Sequence, residues 1–368
     1  MINYQVIEAF NSFGRDGDII SITQVTTGLV NATYLVVTET GKKYMLQKIN
    51  TYAFKNPGEL MENIVGVTKY LRERIKEAGG DWTRETLTFI RNRNGEYYYI
   101  DSENDAWRLY KYIDNSFTYN KAETGEMFKD AGQAFGHFMN QLAEYPADTL
   151  HETIVNFHNT PARYNDFMKA VDEDAKGRMV EVLKEIKFVM DRKADTSKLT
   201  DLMEKGVLPV RVTHNDTKLN NVLFDKTTNK SLCVIDLDTV MPGLSAYDFG
   251  DSIRSGANTA DEDETDLSLV SIDLAYYENY VDGYLSETAN VLNDAEIESL
   301  AFGAKLMTFE CGMRFLTDYL NGDKYFRITH PEHNLERARN QFRLVESMEK
   351  NMDKMQAIVA KYKEKYRA

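Results

Sequence analysis

The spacing of the apolar residues changes near Asn115, and this change constrains the fold more than any other feature. Before it, short segments of alternating apolar and polar residues are bounded by turn residues, a pattern typical of antiparallel strands. After it, apolar residues recur every third or fourth position, which indicates helices. The sequence therefore predicts an α+β protein with a small antiparallel β lobe, residues 1–113, and a larger, mainly α lobe, residues 114–368.

Helices flank the predicted strands. Residues 3–13 form a short amphipathic pattern, and a longer helix that crosses the sheet begins at Pro57 and ends at Gly79 and Gly80. A hinge is expected at residues 110–115. The acidic run at residues 261–266 is expected to begin a solvated helix, and the apolar stripe of the last helix is expected to be core rather than an interface.

The composition limits the classes of partner. At 368 residues, of which 42% are hydrophobic, the chain is long enough for about two domains. The 44 basic and 58 acidic residues give a net charge of −14, which disfavours binding to nucleic acid or to an anionic membrane. The first residues lack the pattern of a secretory signal, and the two cysteines form no CxxC motif. We therefore expect a cytoplasmic protein, a monomer or a weak dimer, with two buried free thiols and without a nucleic-acid or membrane partner.

Polar side chains are concentrated beside apolar strands in VTHNDTKLNNVLFD, residues 212–225, and SLCVIDLDTV, residues 231–240. They indicate either a solvated hairpin turn or a site for a charged ligand. Asp216 is the candidate catalytic carboxylate, since a phosphoryl acceptor hydroxyl needs a group that takes its proton. Asn221 and Asp236 supply the hard oxygen ligands that Mg²⁺ prefers. The order of these three residues corresponds to that of the catalytic loop and metal aspartate of kinases.

Three neighbouring side chains have supporting roles in this interpretation. His214 is expected to organise the loop by hydrogen bonding, because no second histidine lies at ligand spacing. Lys218 faces either the transferred phosphate or water. Asp238 is either a second metal ligand or a brace behind the first one.

Two segments of the β lobe are candidates for binding nucleotide phosphates. In GLVNATY, Gly28 permits a close backbone approach and Asn31 donates to or braces the loop, although an ordinary hairpin turn has the same pattern. In YMLQKIN, Lys48 is expected to contact the phosphates while an acid of the next helix, Glu59 or Glu62, holds it. The alternative is an edge-strand lysine that extends into water. Neither GxGxxG nor the Walker pattern is present.

Five segments together resemble the aminoglycoside phosphotransferase and choline kinase superfamily, whose fold is similar to that of protein kinases. They are GLVNATY, YMLQKIN, THNDTKLNNVLFD, VIDLDT and YDFGDSIR. Four further segments resemble the bacterial N-acetylhexosamine 1-kinases: LQKINTYAFKNP, WRLYKYI, IVNFHNTPARY and RFLTDYLNGDKYFRI. The resemblance implies a bilobal kinase-like fold, ATP as cosubstrate, Mg²⁺, and phosphorylation of the anomeric hydroxyl of N-acetylglucosamine or N-acetylgalactosamine.

The resemblance also implies where the ligands bind. The backbone of Tyr112 and Ile113 would take the adenine, and the α lobe would take the sugar. Carboxylates and arginines that hold sugar hydroxyls are expected in YDFGDSIR and MRFLTDYL, namely Asp248, Asp251, Arg254, Arg314 and Asp318. Two alternatives stay open. In the first, Asp248 does not bind sugar but caps its helix or ties down the catalytic loop. In the second, Arg314 forms a helical surface pair with Asp318 instead of binding sugar.

Other functions remain open at this stage. A kinase of the same fold would serve an aminoglycoside, a choline-like or a homoserine-like acceptor, and the sequence does not separate ATP from GTP. A cationic acceptor calls for an acidic, aromatic-lined pocket. A nucleotide-binding pseudokinase is the alternative from another class, and it predicts the loss of Asp216, Asn221 or Asp236, which are all present.

Overall fold

The computed structural model describes residues 4–25 and 30–367. Contacts between Cα atoms divide the chain into two compact units. The first unit comprises Met1–Phe117, Glu144–Val155 and Leu223–Met241, and the second comprises Thr118–Ala143, Asn156–Val222 and Pro242–Ala368. The first break thus lies just after the boundary predicted at residue 113, and two later segments of the chain belong to the first unit.

The elements follow in chain order. The strands are β1, Ile19–Val25; β2, Ala32–Thr38; β3, Lys43–Ile49; β4, Tyr99–Ile100; β5, Ala106–Lys111; β6, Ser116–Phe117; β7, Arg211–Thr213; β8, Val222–Asp225; β9, Ser231–Val234; and β10, Met241–Gly243. The helices are α1, Tyr4–Ser12; α2, Pro57–Glu77; α3, Trp82–Glu85; α4, Gly125–Gln141; α5, Thr160–Glu173; α6, Leu183–Asp191; α7, Lys193–Thr196; α8, Lys198–Glu204; α9, Ser245–Gly256; α10, Leu274–Thr288; α11, Asp294–Asn321; and α12, His333–Arg367.

A five-stranded sheet forms the centre of the first unit. Its strand order is β1-β2-β3-β5-β4, and each pair of neighbouring strands is antiparallel. Because side chains alternate between the faces of a strand, one face buries Val36, Leu46 and Leu109 against Phe10 of α1. A separate sheet has the order β6-β8-β9. The second unit is mostly helical, so the predicted α+β class, a small antiparallel sheet with a larger helical part, is confirmed.

Local signals at the ends of α2 explain its length. The side chain of Asn56 accepts hydrogen bonds from the backbone N–H groups of Gly58 and Glu59, and Pro57 occupies the first turn. The chain leaves the helix through Gly79, whose φ of 77° favours glycine. The helix predicted from these residues is therefore present.

One sequence prediction about a helix is wrong. The acidic run at residues 261–266 lies in a loop, and the following helix, α10, begins at Leu274. The cap of α10 is Asp273, whose side chain accepts the N–H groups of Ala275 and Tyr276. The acids of the run bind side chains instead, as Glu262 does with Arg254 at 2.6 Å.

Helices of the second unit approach one another closely where glycine removes a side chain. A Cβ atom at Gly132 of α4 would lie 2.6 Å from the carbonyl oxygen of Tyr280 on α10. A Cβ at Gly283 of α10 would clash with the carbonyl oxygen of Lys129 on α4. Both partners are backbone atoms, so neither helix relaxes by turning a side chain. The contact between α4 and α10 thus depends on glycine.

The described part of the chain holds no helix that combines the length and the apolarity needed to cross a membrane. Cys233 and Cys311 are both free thiols, as predicted. Cys233 is also buried, as predicted, whereas the predicted burial of Cys311 is wrong, because it is partly exposed.

We predict that Gly132→Ala lowers the free energy of unfolding by about 1–3 kcal/mol, because the added methyl group overpacks two backbones. Helix propensity alone would favour alanine by about 1 kcal/mol, so a loss isolates the packing effect. Urea unfolding measures the change. The control is Gly14→Ala, where a Cβ would lie 3.5 Å from the Arg91 carbonyl oxygen, and we expect a change within about 0.5 kcal/mol there. Equal stability of wild type and Gly132→Ala would contradict the assignment.

Candidate active site

Asp216 and Asn221 lie together in the second unit, as the sequence predicted. Asp216 follows β7, and Asn221 ends a short 3₁₀ turn at Leu219–Asn221. The Asn221 amide nitrogen donates to the backbone oxygen of Asp216 at 2.7 Å and to its carboxylate at 3.1 Å. The other carboxylate oxygen of Asp216 lies 2.8 Å from the Lys218 ammonium. Both oxygens of the candidate catalytic carboxylate are therefore oriented.

Electrostatics keep the Asp216 carboxylate ionised. Desolvation would raise the pKa of Asp216, but the charge and hydrogen bond of Lys218 and the Asn221 amide outweigh it, so the pKa lies below its ordinary value. The charge of Asp216 in turn raises the pKa of Lys218. The arrangement is thus an ionised carboxylate beside an ammonium group. The sequence left open whether Lys218 faces the transferred phosphate or water. In the structure its ammonium contacts Asp216.

Helix α9 fixes the backbone of the loop that carries Asp216. The two carboxylate oxygens of Asp248 accept the N–H groups of His214, at 2.8 Å, and Asn215, at 2.7 Å. The carboxylate of Asp251 accepts the N–H of Thr217 at 2.9 Å. Burial raises the pKa of Asp248 to about 6. Three backbone N–H groups of the loop, those of residues 214, 215 and 217, are therefore held by acids of one helix.

These contacts bear on three residues predicted to bind the sugar. Asp248 is buried and has the loop-holding role that the sequence left as an alternative. Asp251 binds the loop and also Arg254, whose guanidinium lies 2.8 Å from it. Arg254 is buried and also pairs with Glu262. Direct sugar binding by these side chains stays a prediction, and their contacts favour a role in holding the loop.

His214 organises the same loop. Its Nδ1 atom accepts the backbone N–H of Asp216 at 3.2 Å, and its ring packs edge-on against Phe135 and Phe138. Asn215, which lies between His214 and Asp216, has a φ of 65°, a left-handed conformation that asparagine tolerates better than most residues. The predicted supporting role of His214 is confirmed.

Asp236 and Asp238 belong to the first unit and follow β9. Asp236 has a φ of 59°, and the 3₁₀ turn Leu237–Thr239 comes next. Asp238 is buried, and its carboxylate accepts hydrogen bonds from the Asn31 amide, at 2.5 Å, and from Arg108. Of the two roles left open for Asp238, these contacts give it that of a brace. Asn31 thus contacts the Asp238 segment, and its predicted role in the GLVNATY loop stays a prediction.

Lys48 does not have the partner that the sequence predicted. Its ammonium pairs with Asp105, whereas Glu62 lies 2.7 Å from Nε2 of His151. The expected pair of Lys48 with Glu59 or Glu62 is therefore wrong. The sheet register explains the difference, because Lys48 lies opposite Trp107 on β5, and Asp105 is the diagonal neighbour on the same face.

The other residues predicted to bind the nucleotide are Tyr112 and Ile113 at the hinge and Gly28 in the hairpin. The Tyr112 N–H donates to the Lys43 carbonyl at 3.1 Å, and the Ile113 carbonyl accepts the Ser116 hydroxyl at 2.6 Å. Both residues thus lie in an ordered segment that follows β5. Gly28 lies outside the described residues.

Arg314 and Asp318 do not pair with each other. Asp318 accepts the backbone N–H groups of Lys324, Tyr325 and Phe326, each at 2.9 Å, and so anchors the segment after α11. The Arg314 guanidinium lies over three aromatic rings, which together with it form the Arg314 cluster: Phe157 at 5.2 Å, Tyr325 at 5.8 Å and Phe326 at 5.5 Å. The helical surface pair is therefore excluded, and the structure assigns Asp318 an anchoring role.

Sequence reasoning missed two residues that position the site. Arg108, a buried arginine on β5, binds Asp238 and also Gln47 at 2.9 Å. Asn63 of α2 donates to the carbonyl oxygens of Val240, at 3.0 Å, and His151, at 2.8 Å. A signal existed for Arg108, since an arginine within the apolar segment AWRLY needs a buried acid.

The side-chain oxygen atoms of the site are of the kind that bind a divalent metal together with phosphate oxygens. Within residues 4–25 and 30–367 no group of three or more His, Cys, Asp or Glu side chains has the geometry to hold a metal by itself. Asn221 donates through its amide nitrogen to Asp216, so its amide oxygen is the end that suits a hard cation. A site of this kind needs ligands from a bound nucleotide, as Mg²⁺ sites in kinases do.

The fold and the Asp216 loop define a phosphotransferase. The model of the phosphotransferase enzyme family known as APH matches residues 21–289, and the chain belongs to this family. Solved structures of kinases have a similar fold. An aminopropanol kinase associated with a microcompartment is 16% identical, with a TM-score of 0.61 and coverage of 95% of this chain and 97% of that one.

Two other solved structures extend this likeness. An amicoumacin kinase, in complex with AMP-PNP, Ca²⁺ and Ami, is 14% identical with a TM-score of 0.59, and the match covers 93% of each chain. A choline kinase from Cryptosporidium parvum is 15% identical with a TM-score of 0.55, and the match covers 92% of this chain and 91% of that chain. At these identities the likeness concerns the fold.

We predict a distinct pH dependence for Asp248→Asn. An acid whose pKa rises from 3.8 to about 6 on folding adds stability at low pH and loses that contribution as the pH rises through about 6. The stability of the wild type relative to Asp248→Asn should therefore fall by about 3 kcal/mol between pH 4 and pH 7, as measured by urea unfolding at each pH.

The matched control is Asp225→Asn. Backbone N–H groups of Thr228 and Thr227 and the Arg84 guanidinium lower the pKa of Asp225 to about 2, so its contribution to stability is lost in acid instead. The wild type should therefore hold or increase its lead over Asp225→Asn as the pH rises. A lead over Asp248→Asn that stayed constant or grew with pH would contradict the assigned burial of the Asp248 charge.

Proposed function

We propose that this protein is an ATP- and Mg²⁺-dependent kinase that phosphorylates the anomeric hydroxyl of an N-acetylhexosamine, N-acetylglucosamine or N-acetylgalactosamine. The observation that carries the phosphoryl-transfer part is the state of Asp216, an ionised carboxylate oriented by Asn221 and Lys218. A pseudokinase would not need to keep such a group on a loop fixed at three backbone N–H groups.

Asp216 has the role of proton acceptor and orienting group. The acceptor oxygen forms a bond to the γ-phosphorus while the bond between that phosphorus and the bridging oxygen of ADP breaks. The hydroxyl proton passes to the Asp216 carboxylate and from there to solvent. Lys218 limits the build-up of negative charge beside Asp216, since its ammonium lies 2.8 Å from the carboxylate.

The residues proposed to bind nucleotide and metal come from several elements. Asn221 and Asp236 are the proposed metal ligands, and they flank the hydrogen-bonded strands β8 and β9, one just before and one just after. The metal, when bound, neutralises charge on the transferred phosphate. Lys48 would contact the phosphates from β3, and Tyr112 and Ile113 would take the adenine on their backbone. The AMP-PNP and Ca²⁺ bound to the similar amicoumacin kinase support the proposal that this protein binds a nucleoside triphosphate and a divalent metal.

The acceptor class is inferred from the Arg314 cluster. Aromatic faces with an adjacent multiple donor suit the apolar face and the oxygen acceptors of an uncharged sugar. The cluster adjoins the catalytic loop through His158, whose ring lies 4.5 Å from that of Phe157 and whose Nε2 lies 3.3 Å from the Asn215 carbonyl oxygen.

A second guanidinium strengthens the case against a cationic acceptor. Arg163 donates to the Phe157 carbonyl at 3.1 Å, and its pKa is lowered by burial and by the charge of Arg314. Two neighbouring cations repel an ammonium group. This favours a neutral sugar over choline-like or aminoglycoside acceptors, although similar structures include a choline kinase and an aminopropanol kinase.

We predict that the protein with MgATP turns over N-acetylhexosamines in a panel of free sugars, choline, ethanolamine, homoserine and aminoglycosides, and that phosphorus NMR shows a 1-phosphate. Asp216→Asn should lower kcat by about 10²–10⁴-fold, because the acceptor loses its base, and leave nucleotide affinity within about threefold. A 6-phosphate product, or turnover of amines alone, would refute the acceptor class. Full activity of Asp216→Asn would refute the role of Asp216.

Arg314→Ala should raise the KM for the acceptor by about 10–100-fold and change the KM for nucleotide little, since the side chain would contact the acceptor alone. Steady-state kinetics with each substrate varied in turn measure both. Arg339→Ala is the control, because Arg339 is a partly exposed arginine of α12 that pairs with Glu185. If both variants shift the acceptor KM equally, the Arg314 cluster is not the acceptor site.

A further inference from the structure

A buried pair of side chains, His158 and Glu310, adjoins the catalytic loop and has no assigned role in the proposed reaction. The Nδ1 atom of His158 lies 2.8 Å from Oε1 of Glu310, and their side chains are only 9% and 2% exposed. The other carboxylate oxygen of Glu310 accepts the Thr160 hydroxyl at 2.6 Å. Removal of two charged groups from water is unfavourable unless every hydrogen-bonding atom finds a partner. This pair therefore requires an explanation beyond packing.

The second ring nitrogen of His158 reaches the loop itself. Its Nε2 atom lies 3.3 Å from the carbonyl oxygen of Asn215. A carboxylate and a carbonyl oxygen only accept hydrogen bonds, so both ring nitrogens carry protons when both contacts are made. His158 is then an imidazolium ion. Burial would raise the pKa of Glu310, but the charge and hydrogen bond of His158 lower it, which is consistent with an ion pair.

The carbonyl of Asn215 and the N–H of Asp216 belong to the same peptide unit. His158 donates to the oxygen end of this unit, and Nδ1 of His214 accepts from its nitrogen end at 3.2 Å. A peptide unit is planar, so contacts at both ends fix the orientation of the whole plane. The plane sets the direction in which the Asp216 side chain leaves the backbone.

We propose that His158, kept protonated by Glu310, is a positioning residue that fixes the peptide plane between Asn215 and Asp216 and thereby aims the Asp216 carboxylate. The proposal rests on the proposed catalytic role of Asp216. His158 touches neither acceptor nor nucleotide in this mechanism. Its ring also contacts Phe157, so the geometry of Asp216 and the Arg314 cluster are set by one side chain.

The test compares His158→Gln with a matched control. Glutamine is neutral and presents one donor end and one acceptor end, so it does not hold both oxygens. The control, His333→Gln, alters another buried histidine that faces a carboxylate, since His333 Nε2 lies 3.0 Å from Asp263 and its Nδ1 accepts the Thr329 N–H at 3.2 Å. We expect both variants to lose similar stability in urea unfolding.

Kinetics separate positioning from stability. His158→Gln should lower kcat by about 10–100-fold with both KM values within about threefold, because a misaimed base slows the chemical step without removing binding contacts. His333→Gln should keep the wild-type kcat. Equal kcat values in the two variants would overturn the proposal, provided that Asp216→Asn is inactive; an active Asp216→Asn would overturn the proposed function instead.

A spectroscopic readout tests the proton on His158 without reference to activity. Histidine-labelled protein at neutral pH should show one side chain with both nitrogens protonated that is missing in His158→Gln. In Glu310→Gln the isosteric amide keeps an acceptor for His158 but not the charge, so this signal should change to that of a neutral ring. This measurement also covers the case in which His158→Gln folds poorly. A neutral His158 in the wild type would overturn the proposal.

Discussion

The carboxylate of Asp248 is the constraint on which the catalytic loop depends. It is buried, and its two oxygens accept the N–H groups of two successive residues, His214 and Asn215. A buried charge is unfavourable unless hydrogen bonds compensate for lost water, so the loop is held in the one conformation that supplies both donors. That conformation includes the left-handed Asn215 and leads directly into Asp216.

The two units use the same device for their candidate reactive carboxylates. In the second unit a left-handed residue precedes Asp216, and a buried acid of α9 anchors the loop. In the first unit Asp236 is itself left-handed, and the buried Asp238 anchors its segment to Arg108 and Asn31. In each case a buried acid that binds protein groups fixes the backbone, and the neighbouring acid is the one proposed to act on a ligand.

The proposed acceptor chemistry depends on charge as well as on shape. A net charge of −14 permits a cationic substrate, yet the Arg314 cluster places a guanidinium and aromatic rings beside His158, which contacts the catalytic loop. Local charge rather than net charge decides which ligand is stabilised, because desolvated interactions at short range exceed screened ones at long range. Proteins that share a fold differ in function through the side chains of their sites, so the proposed acceptor specificity is assigned to the Arg314 cluster rather than to the loop that carries Asp216.

The sequence by itself determined the elements and the candidate chemistry. The change in apolar period gave the α+β class, the signals at Asn56, Pro57 and Gly79 gave α2, and the spacing of Asp216 and Asn221 predicted a pair that the structure brings together. These features are local, so residue types along a few turns suffice to specify them.

Only the tertiary structure decided which charged side chains are partners. Lys48 pairs with Asp105 rather than Glu62 because the register of β3 and β5 places them on one face, and Asp318 binds backbone N–H groups rather than Arg314. His158 and Glu310 are far apart in the chain and meet only in the folded second unit. Such pairings depend on distances between remote segments, and a sequence pattern contains residue types but not those distances.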